Sequence, residues 1–278
     1  MTVWIDGSLT ALSDAKVSVL DHGLVVGDGV FETLRVYRGV PFAWTRHLAR
    51  LRTSADGLGL ELPDISELRR AADAVLRANA LTEARLRITV TGGVAPPGSG
   101  RGHGPPSAFI LAFPIEPAAA SVDVVIAPWT RNERGALVGL KTISYAANVR
   151  ALAYARDKGA GEAVFANTKG NLCEATGSNV FLVRDGVLCT PPASAGCLLG
   201  VTRALLLELG KKSRIPTEER DVPIDELAPS DEAFLSSTTR EVQPIACVDG
   251  GRLRNVGGPV SERLAAAFRD LVAKDLDP

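Results

Sequence analysis

The 278-residue sequence predicts a two-domain protein of the mixed α/β class, in an α+β arrangement, with domains over 1–117 and 118–278. Three observations predict it. Helix-period and strand-like segments interleave along the whole chain. The length exceeds that of an ordinary single domain. A stretch rich in proline and alanine, Pro114–Ser121 (PIEPAAAS), separates two parts each long enough to bury a core, and its prolines make it a stiff linker.

The elements follow in order. Phe31–Val36 reads as a strand, closed by the turn Tyr37-Arg38-Gly39. Leu48, Leu51, Ala55 and Leu58 recur at helical spacing, so Thr45–Leu58 is an amphipathic helix. Asp64 followed by Glu67 is a capping-box pattern that opens a second helix through Leu68, Ala72, Val75 and Leu76. Arg85–Thr91 and Ala108–Phe113 are strands, and the Gly/Pro-rich run between them (92–106) is a functional or mobile loop. Past the linker come a strand at Val122–Ala127, a helix over Tyr145–Lys158 and a strand at Ala163–Ala166. Turn signals at Lys169-Gly170 and Asp185-Gly186 bracket a strand at Asn179–Val183. A helix over Thr202–Leu209 ends at Gly210 as its C′ residue. A last helix begins near Pro259 and carries Val260, Leu264, Phe268 and Leu271 on one face.

Composition narrows the function classes. A hydrophobic share of 46% supports a sizeable core, and a formal charge of −1 provides no general attraction for nucleic acid. No apolar run reaches membrane-spanning length, and MTVWIDGSLT lacks the basic and apolar regions of a secretory signal, so a cytoplasmic location with no membrane partner is expected. Cys173, Cys189, Cys197 and Cys247 form no CxxC and read as reduced thiols. Three histidines (His22, His47, His103) are too few for a multi-histidine metal centre, and none is expected.

Of seven lysines, Lys141 stands apart, set in Val138-Gly139-Leu140-Lys141-Thr142-Ile143. Desolvation disfavours the ammonium form, and a neutral amine is the species that forms an imine with a carbonyl. The bland alternative is a lysine snorkelling at a strand edge. Glu174 precedes the small residues Ala175-Thr176-Gly177-Ser178, over which a flat ligand can approach the backbone. A buried carboxylate there requires a cationic or hydrogen-bonding partner. Leu198–Arg203 opens a helix whose free N–H groups suit an anion, with the Thr202 hydroxyl as a further donor. Ser236–Thr239 is a hydroxyl cluster, and Arg46 and Arg50 lie one turn apart on a helix that also faces the core.

In order, these segments resemble the class IV aminotransferases, pyridoxal 5'-phosphate enzymes of fold type IV. The resemblance is carried by GDGVFETLRVYRG (27–39), RHLARL (46–51), LKTISYAANV (140–149), EAVFANTKGNLCEATGSNVFLV (162–183), GCLLGVTR (196–203) and FLSSTTREVQPI (234–245). It implies a D-amino acid aminotransferase-like fold and the cofactor pyridoxal 5'-phosphate, held as a Schiff base on the catalytic Lys141. Glu174 would face the pyridine nitrogen, and Tyr145 the ring hydroxyl. Arg50, Val201, Thr202 and Thr238 would hold the phosphate. Phe31, Glu32 and Thr239 would line the substrate side. A homodimer is implied as well.

Within the family, branched-chain enzymes carry a Tyr-x-Arg element on the strand matching Arg85-Leu86-Arg87, where this chain keeps only the second basic residue. Arg101-Gly102-His103 is similar to the Arg-x-His element with which D-amino acid enzymes hold the substrate carboxylate, a task suited to a guanidinium. The expected reaction is therefore transamination between an amino donor, D-amino acids first, and a 2-oxo acid acceptor. The alternatives are 4-amino-4-deoxychorismate lyase, then a branched-chain L-amino acid aminotransferase or a non-catalytic cofactor-binding protein.

Overall fold

The period-2 patterns around Phe31 and Arg87 become neighbouring antiparallel strands in the computed structural model, which describes residues 1–278. By contacts the chain divides into two units. One comprises Met1–Glu116, Leu140–Tyr145 and Asp275–Pro278, and the other Pro117–Gly139 and Ala146–Lys274. Two short segments therefore depart from a simple division into 1–117 and 118–278. Leu140–Tyr145, which carries Lys141, packs with the first unit because its backbone bonds there: Phe31 N donates to Lys141 O (3.0 Å) and Ile143 N to Gly29 O (2.9 Å). Asp275–Pro278 joins through Ala43 N to Leu276 O (2.7 Å) and Thr45 N to the Asp277 carboxylate (2.8 Å).

The first unit contains β1 (Thr2–Ile5), β2 (Ser8–Ala11), α1 (His22–Val26), β3 (Gly29–Tyr37), β4 (Val40–Pro41), α2 (Trp44–Leu58), α3 (Ile65–Ala78), β5 (Ala84–Thr91) and β6 (Ser107–Pro114). Its antiparallel sheet runs β2-β1-β6-β5-β3-β4. Alternate residues of the three longest strands (Val30, Leu34, Val36, Leu86, Ile88, Val90, Ile110) face Leu48, Leu51, Leu68, Ala72 and Val75 of α2 and α3. Each fully buried Leu or Val of this set contributes roughly 1.5–3 kcal/mol. Asp64 caps α3, accepting from Ser66 N (2.8 Å) and Glu67 N (3.2 Å), as the capping-box pattern predicts. The opposite sheet face holds Phe31, Arg35, Arg85 and Arg87, since successive strand residues point to opposite sides.

The second unit contains β7 (Val122–Ile126), α4 (Ala146–Asp157), β8 (Glu162–Ala166), β9 (Leu172–Ala175), β10 (Asn179–Arg184), β11 (Val187–Thr190), α5 (Val201–Lys212), β12 (Thr217–Glu219), β13 (Glu232–Ser237), β14 (Glu241–Val248), β15 (Gly251–Arg252) and α6 (Pro259–Lys274). Its mixed sheet runs β12-β11-β10-β13-β14-β7-β8-β9, with β15 beside β14. The pairs β11–β12, β7–β14 and β7–β8 are parallel. Val124, Val164, Val180, Leu182, Leu235 and Ile245 build its core, and Phe181 stacks on Phe234 at 4.9 Å.

One helix differs from the sequence expectation. α5 continues to Lys212 with Gly210 inside it, because the missing side chain lets Thr217 Oγ1 approach to 3.1 Å of where a Cβ would stand. No helix is long and apolar enough to cross a membrane.

Candidate active site

Gly29 brings the lysine segment to β3. A Cβ there would lie 2.7 Å from Val90 O and 2.9 Å from Ile143 Cδ1, so only glycine lets residues 141–143 run alongside. Lys141 N also donates to Ser54 Oγ of α2 (3.0 Å). With its backbone fixed, Lys141 holds Nζ 4.4 Å from the Phe31 ring centroid, and Tyr145 meets the same ring edge-on at 5.2 Å. Lys141, Phe31 and Tyr145 thus lie together within one unit.

Glu32 does not line the substrate side as expected. Strand alternation turns it away from Phe31 and into the helix-covered face, where it is fully buried. Its carboxylate accepts from Arg50 Nε (2.7 Å) and Nη2 (2.8 Å) and pairs with His47 Nδ1 (2.7 Å). Burial alone would push the Glu32 carboxyl up, but the Arg50 and His47 charges and hydrogen bonds win and hold it far below the carboxylate range. Burial lowers the His47 pKa, and the charge and hydrogen bond of Glu32 oppose that shift. Glu32 thereby sets the orientation of Arg50.

Arg87 lies on the sheet face opposite Glu32. Its guanidinium carbon sits 3.8 Å from the Phe31 centroid, Nε donates to Thr89 Oγ1 (3.1 Å), and burial pulls its pKa down. No carboxylate of the chain pairs with it. Arg101 is placed differently. Its Nε and Nη2 both bond Asp28 (2.6 Å each) and Nη1 bonds Gly59 O (2.7 Å), so its donors are committed within the chain. Asp28 also takes His22 Nδ1 (2.8 Å), while His22 Nε2 meets Gly98 O (2.9 Å). His103 is exposed on the same loop.

In the second unit, Glu174 on β9 accepts from Leu198 N (3.0 Å) and lies 3.7 Å from Arg131 Nη2. Arg131 itself stacks 4.3 Å over Phe165. The segment carrying Leu198 leads into α5, whose N-cap is Gly200 with no side-chain cap. A Cβ on Gly200 would stand 2.2 Å from Asn179 Oδ1, so the tight approach of β10 dictates glycine and leaves the first-turn amides of Val201 and Thr202 uncapped. Thr238 and Thr239 form the turn between β13 and β14, and neither hydroxyl has an acceptor in the chain. Beside Glu174, burial pushes the Cys197 thiol up to about 11 and Cys173 higher still, so both stay protonated and unreactive.

Within each unit, the groups present are of the kinds that pyridoxal 5'-phosphate requires. Uncapped amides with the Thr202 and Thr238 hydroxyls suit a phosphate, a mostly buried carboxylate suits a protonated ring nitrogen, and an amine over an aromatic face suits an imine carbonyl. Sequence reasoning passed over Arg87 as a site residue. The signal was available in Arg85-Leu86-Arg87, where Leu86 enters the core and both arginines necessarily share the other face.

Comparison with known proteins shows the family. Residues 29–248 match the family model described as amino-transferase class IV. A Methanocaldococcus jannaschii protein provisionally named a branched-chain-amino-acid aminotransferase is 35% identical over 99% of this chain and 97% of its own length. A D-alanine aminotransferase of Listeria innocua is 32% identical over 99% of this chain and 97% of its own. The crystal structure of the Escherichia coli branched-chain amino acid aminotransferase superposes with a TM-score of 0.92 at 32% identity, covering 97% of this chain and 94% of that one.

Proposed function

The chain belongs to the class IV aminotransferases, enzymes dependent on pyridoxal 5'-phosphate, and we propose that it moves an amino group between an α-amino acid and a 2-oxo acid with the substrate carboxylate seated on Arg87. The observation that carries this reading is a largely buried guanidinium, without a carboxylate partner, on the same aromatic ring as Lys141 Nζ. A buried cation of that kind is stabilised by an incoming carboxylate, with two parallel hydrogen bonds to orient it.

Bound pyridoxal phosphate supplies a carbonyl that condenses with amines and a ring that draws the electron pair from the substrate Cα. Lys141 would attach it, and its Nζ would take the proton of the substrate Cα and return it. Glu174, 3.7 Å from Arg131 Nη2, would pair with the ring nitrogen. Tyr145 would bond the ring hydroxyl. Arg50, oriented by Glu32, would hold the phosphate with Val201, Thr202 and Thr238, and Phe31 and Thr239 would border the substrate.

Two donor classes compete. Carboxylate binding by Arg87 follows the strand-borne element of the branched-chain enzymes and favours L-leucine-like donors. D-amino acid binding through Arg101 and His103 first requires Arg101 to leave Asp28, and each charged hydrogen bond broken opposes that by about 1.5–3 kcal/mol. We therefore place the branched-chain donor first and D-alanine second. The exposed apolar side chains Leu9, Val17, Val19, Leu24 and Val26 support pairing of two copies.

Half-reaction titrations with L-leucine, D-alanine and (R)-phenylethylamine, followed by the visible band of the bound cofactor, test the reading. Arg87→Gln is expected to raise KM for amino acids on the order of 10–100-fold, the loss of a charged hydrogen bond, and to leave the carboxylate-free amine unchanged. Equal losses for both substrates would remove Arg87 from the carboxylate site. Pyruvate release from 4-amino-4-deoxychorismate, without conversion by any donor, would put the lyase in place of the transaminase.

A further inference from the structure

Glu162, the first residue of β8, is 2% exposed, and its carboxylate is engaged on both oxygens. Oε1 accepts from the Thr176 hydroxyl, from Thr176 N (3.3 Å) and from Ala163 N (3.1 Å). Oε2 accepts from Arg240 Nη2 (3.1 Å). Arg240 directly follows Thr238-Thr239. Its backbone N donates to Ser237 Oγ (3.3 Å), and Nη1 donates to Gln243 Oε1. Gln243 Nε2 in turn donates to Ala119 O (2.8 Å).

The other end of this network reaches Glu174. Thr176 O accepts from Asn148 Nδ2, and Asn148 Oδ1 accepts from Arg131 Nη2 (3.0 Å). That same nitrogen lies 3.7 Å from Glu174 Oε1. One continuous path of polar contacts, all inside the second unit, therefore joins the Glu174 carboxylate to the Thr238-Thr239 turn. A guanidinium gripped on one branch by a carboxylate and on the other by an amide is fixed in rotation as well as position, which a lysine with a single point charge does not achieve.

We propose that Arg240 is a positioning residue which, anchored on the buried Glu162, holds the Thr238-Thr239 turn at a fixed place relative to Glu174 and so sets the phosphate contact against the ring-nitrogen contact. The proposal rests on the reading of Glu174 and Thr238 as cofactor contacts. Arg240 acts through the turn that it ends, so its loss weakens the phosphate end alone. Pyridoxal, which has no phosphate, is the probe that separates this role from general stabilisation of the sheet.

The experiment measures Kd of the full-length protein, freed of cofactor, for pyridoxal 5'-phosphate and for pyridoxal. Arg240→Met is expected to weaken pyridoxal 5'-phosphate about tenfold, the scale of one hydrogen bond to a charged group, with pyridoxal unchanged and Arg240→Lys recovering part of the loss. Because Arg240→Met strands Glu162, the double variant Glu162→Gln/Arg240→Met, which removes both charges, is measured alongside and is expected to keep the defect. Wild-type affinity for pyridoxal 5'-phosphate in that double variant, or equal loss for both probes, overturns the proposal. Thr238→Ala is the separate control. If it leaves pyridoxal 5'-phosphate binding intact, the assignment of the turn to the phosphate fails. If it weakens binding while the Arg240 variants do not, the positioning role fails.

Discussion

Arg87 and Phe31 are diagonal neighbours across the β3–β5 ladder: Phe31 stands opposite Thr89, two residues from Arg87, and the guanidinium rests 3.8 Å from the ring centroid. The register of two strands thereby determines where the guanidinium meets the ring. The same ring lies 4.4 Å from Lys141 Nζ, so one aromatic side chain meets both basic groups.

Phe31→Leu keeps an apolar residue but removes the ring. A cation–π contact contributes about 1 kcal/mol, which predicts roughly a fivefold higher KM for amino acid donors. Steady-state kinetics beside a thermal melt checks it, with the melting temperature little changed.

Glu32→Gln leaves Arg50 buried without its countercharge. Breaking one side of a buried pair predicts a loss of about 3–5 kcal/mol in chemical denaturation. The acid sensitivity of the wild type follows from the same site. Because the folded carboxyl is depressed, its contribution is fully present above the ordinary value of 4.5 and fades as pH falls toward the folded value. Glu32→Gln should flatten the stability-against-pH curve below 4.5, and an unchanged slope would exclude Glu32 as its source.

The loop over 94–104 is tied down by ionisable groups. His22 Nδ1 and Nε2 face a carboxylate and a carbonyl, both acceptors, so the doubly protonated ring fits both, and the Asp28 hydrogen bond raises its pKa. Hydrogen bonding from Arg101, assisted by His22, lowers Asp28. The His22 contribution is complete below 6.5 and is lost as pH rises through the raised folded value. The Asp28 contribution is complete above 3.8 and is lost as pH falls through the depressed one. Amide protection factors in the loop should therefore be greatest between 3.8 and 6.5. Asp28→Asn should remove the maximum.

Val19 is 78% exposed and Leu24 67% exposed. If two copies pair there, Val19→Lys with Leu24→Lys should shift the sedimentation coefficient from dimer to monomer. A wild-type chain that sediments as a monomer would end that reading.

Much of the fold was legible because local physics determined it. The capping box at Asp64, the apolar stripe of α2 and the β3 and β5 patterns each express a period that only one secondary structure satisfies. The strands β13 and β14 escaped although they pair with each other as a hairpin across residues 238–240. Lys141 and Glu174 stood out by chemistry and family likeness. The partners of Arg101 did not, since nothing in a glycine-rich loop announces that Asp28, seventy-three residues away, will take its guanidinium. Glu32 was misplaced for a simpler reason: neighbouring strand residues face opposite sides, and Glu32 falls on the helix-covered one.

The membership of Leu140–Tyr145 and Asp275–Pro278 in the first unit has a consequence for synthesis. As the chain leaves the ribosome, residues 1–116 emerge without the backbone partners that Phe31 N and Ala43 N later acquire. The Lys141 amine is seated only after its segment returns to β3, and Ala43 N gains its acceptor only when residues 275–278 arrive. A ribosome that stops at residue 270 therefore leaves Thr45 N and Ala43 N without these acceptors.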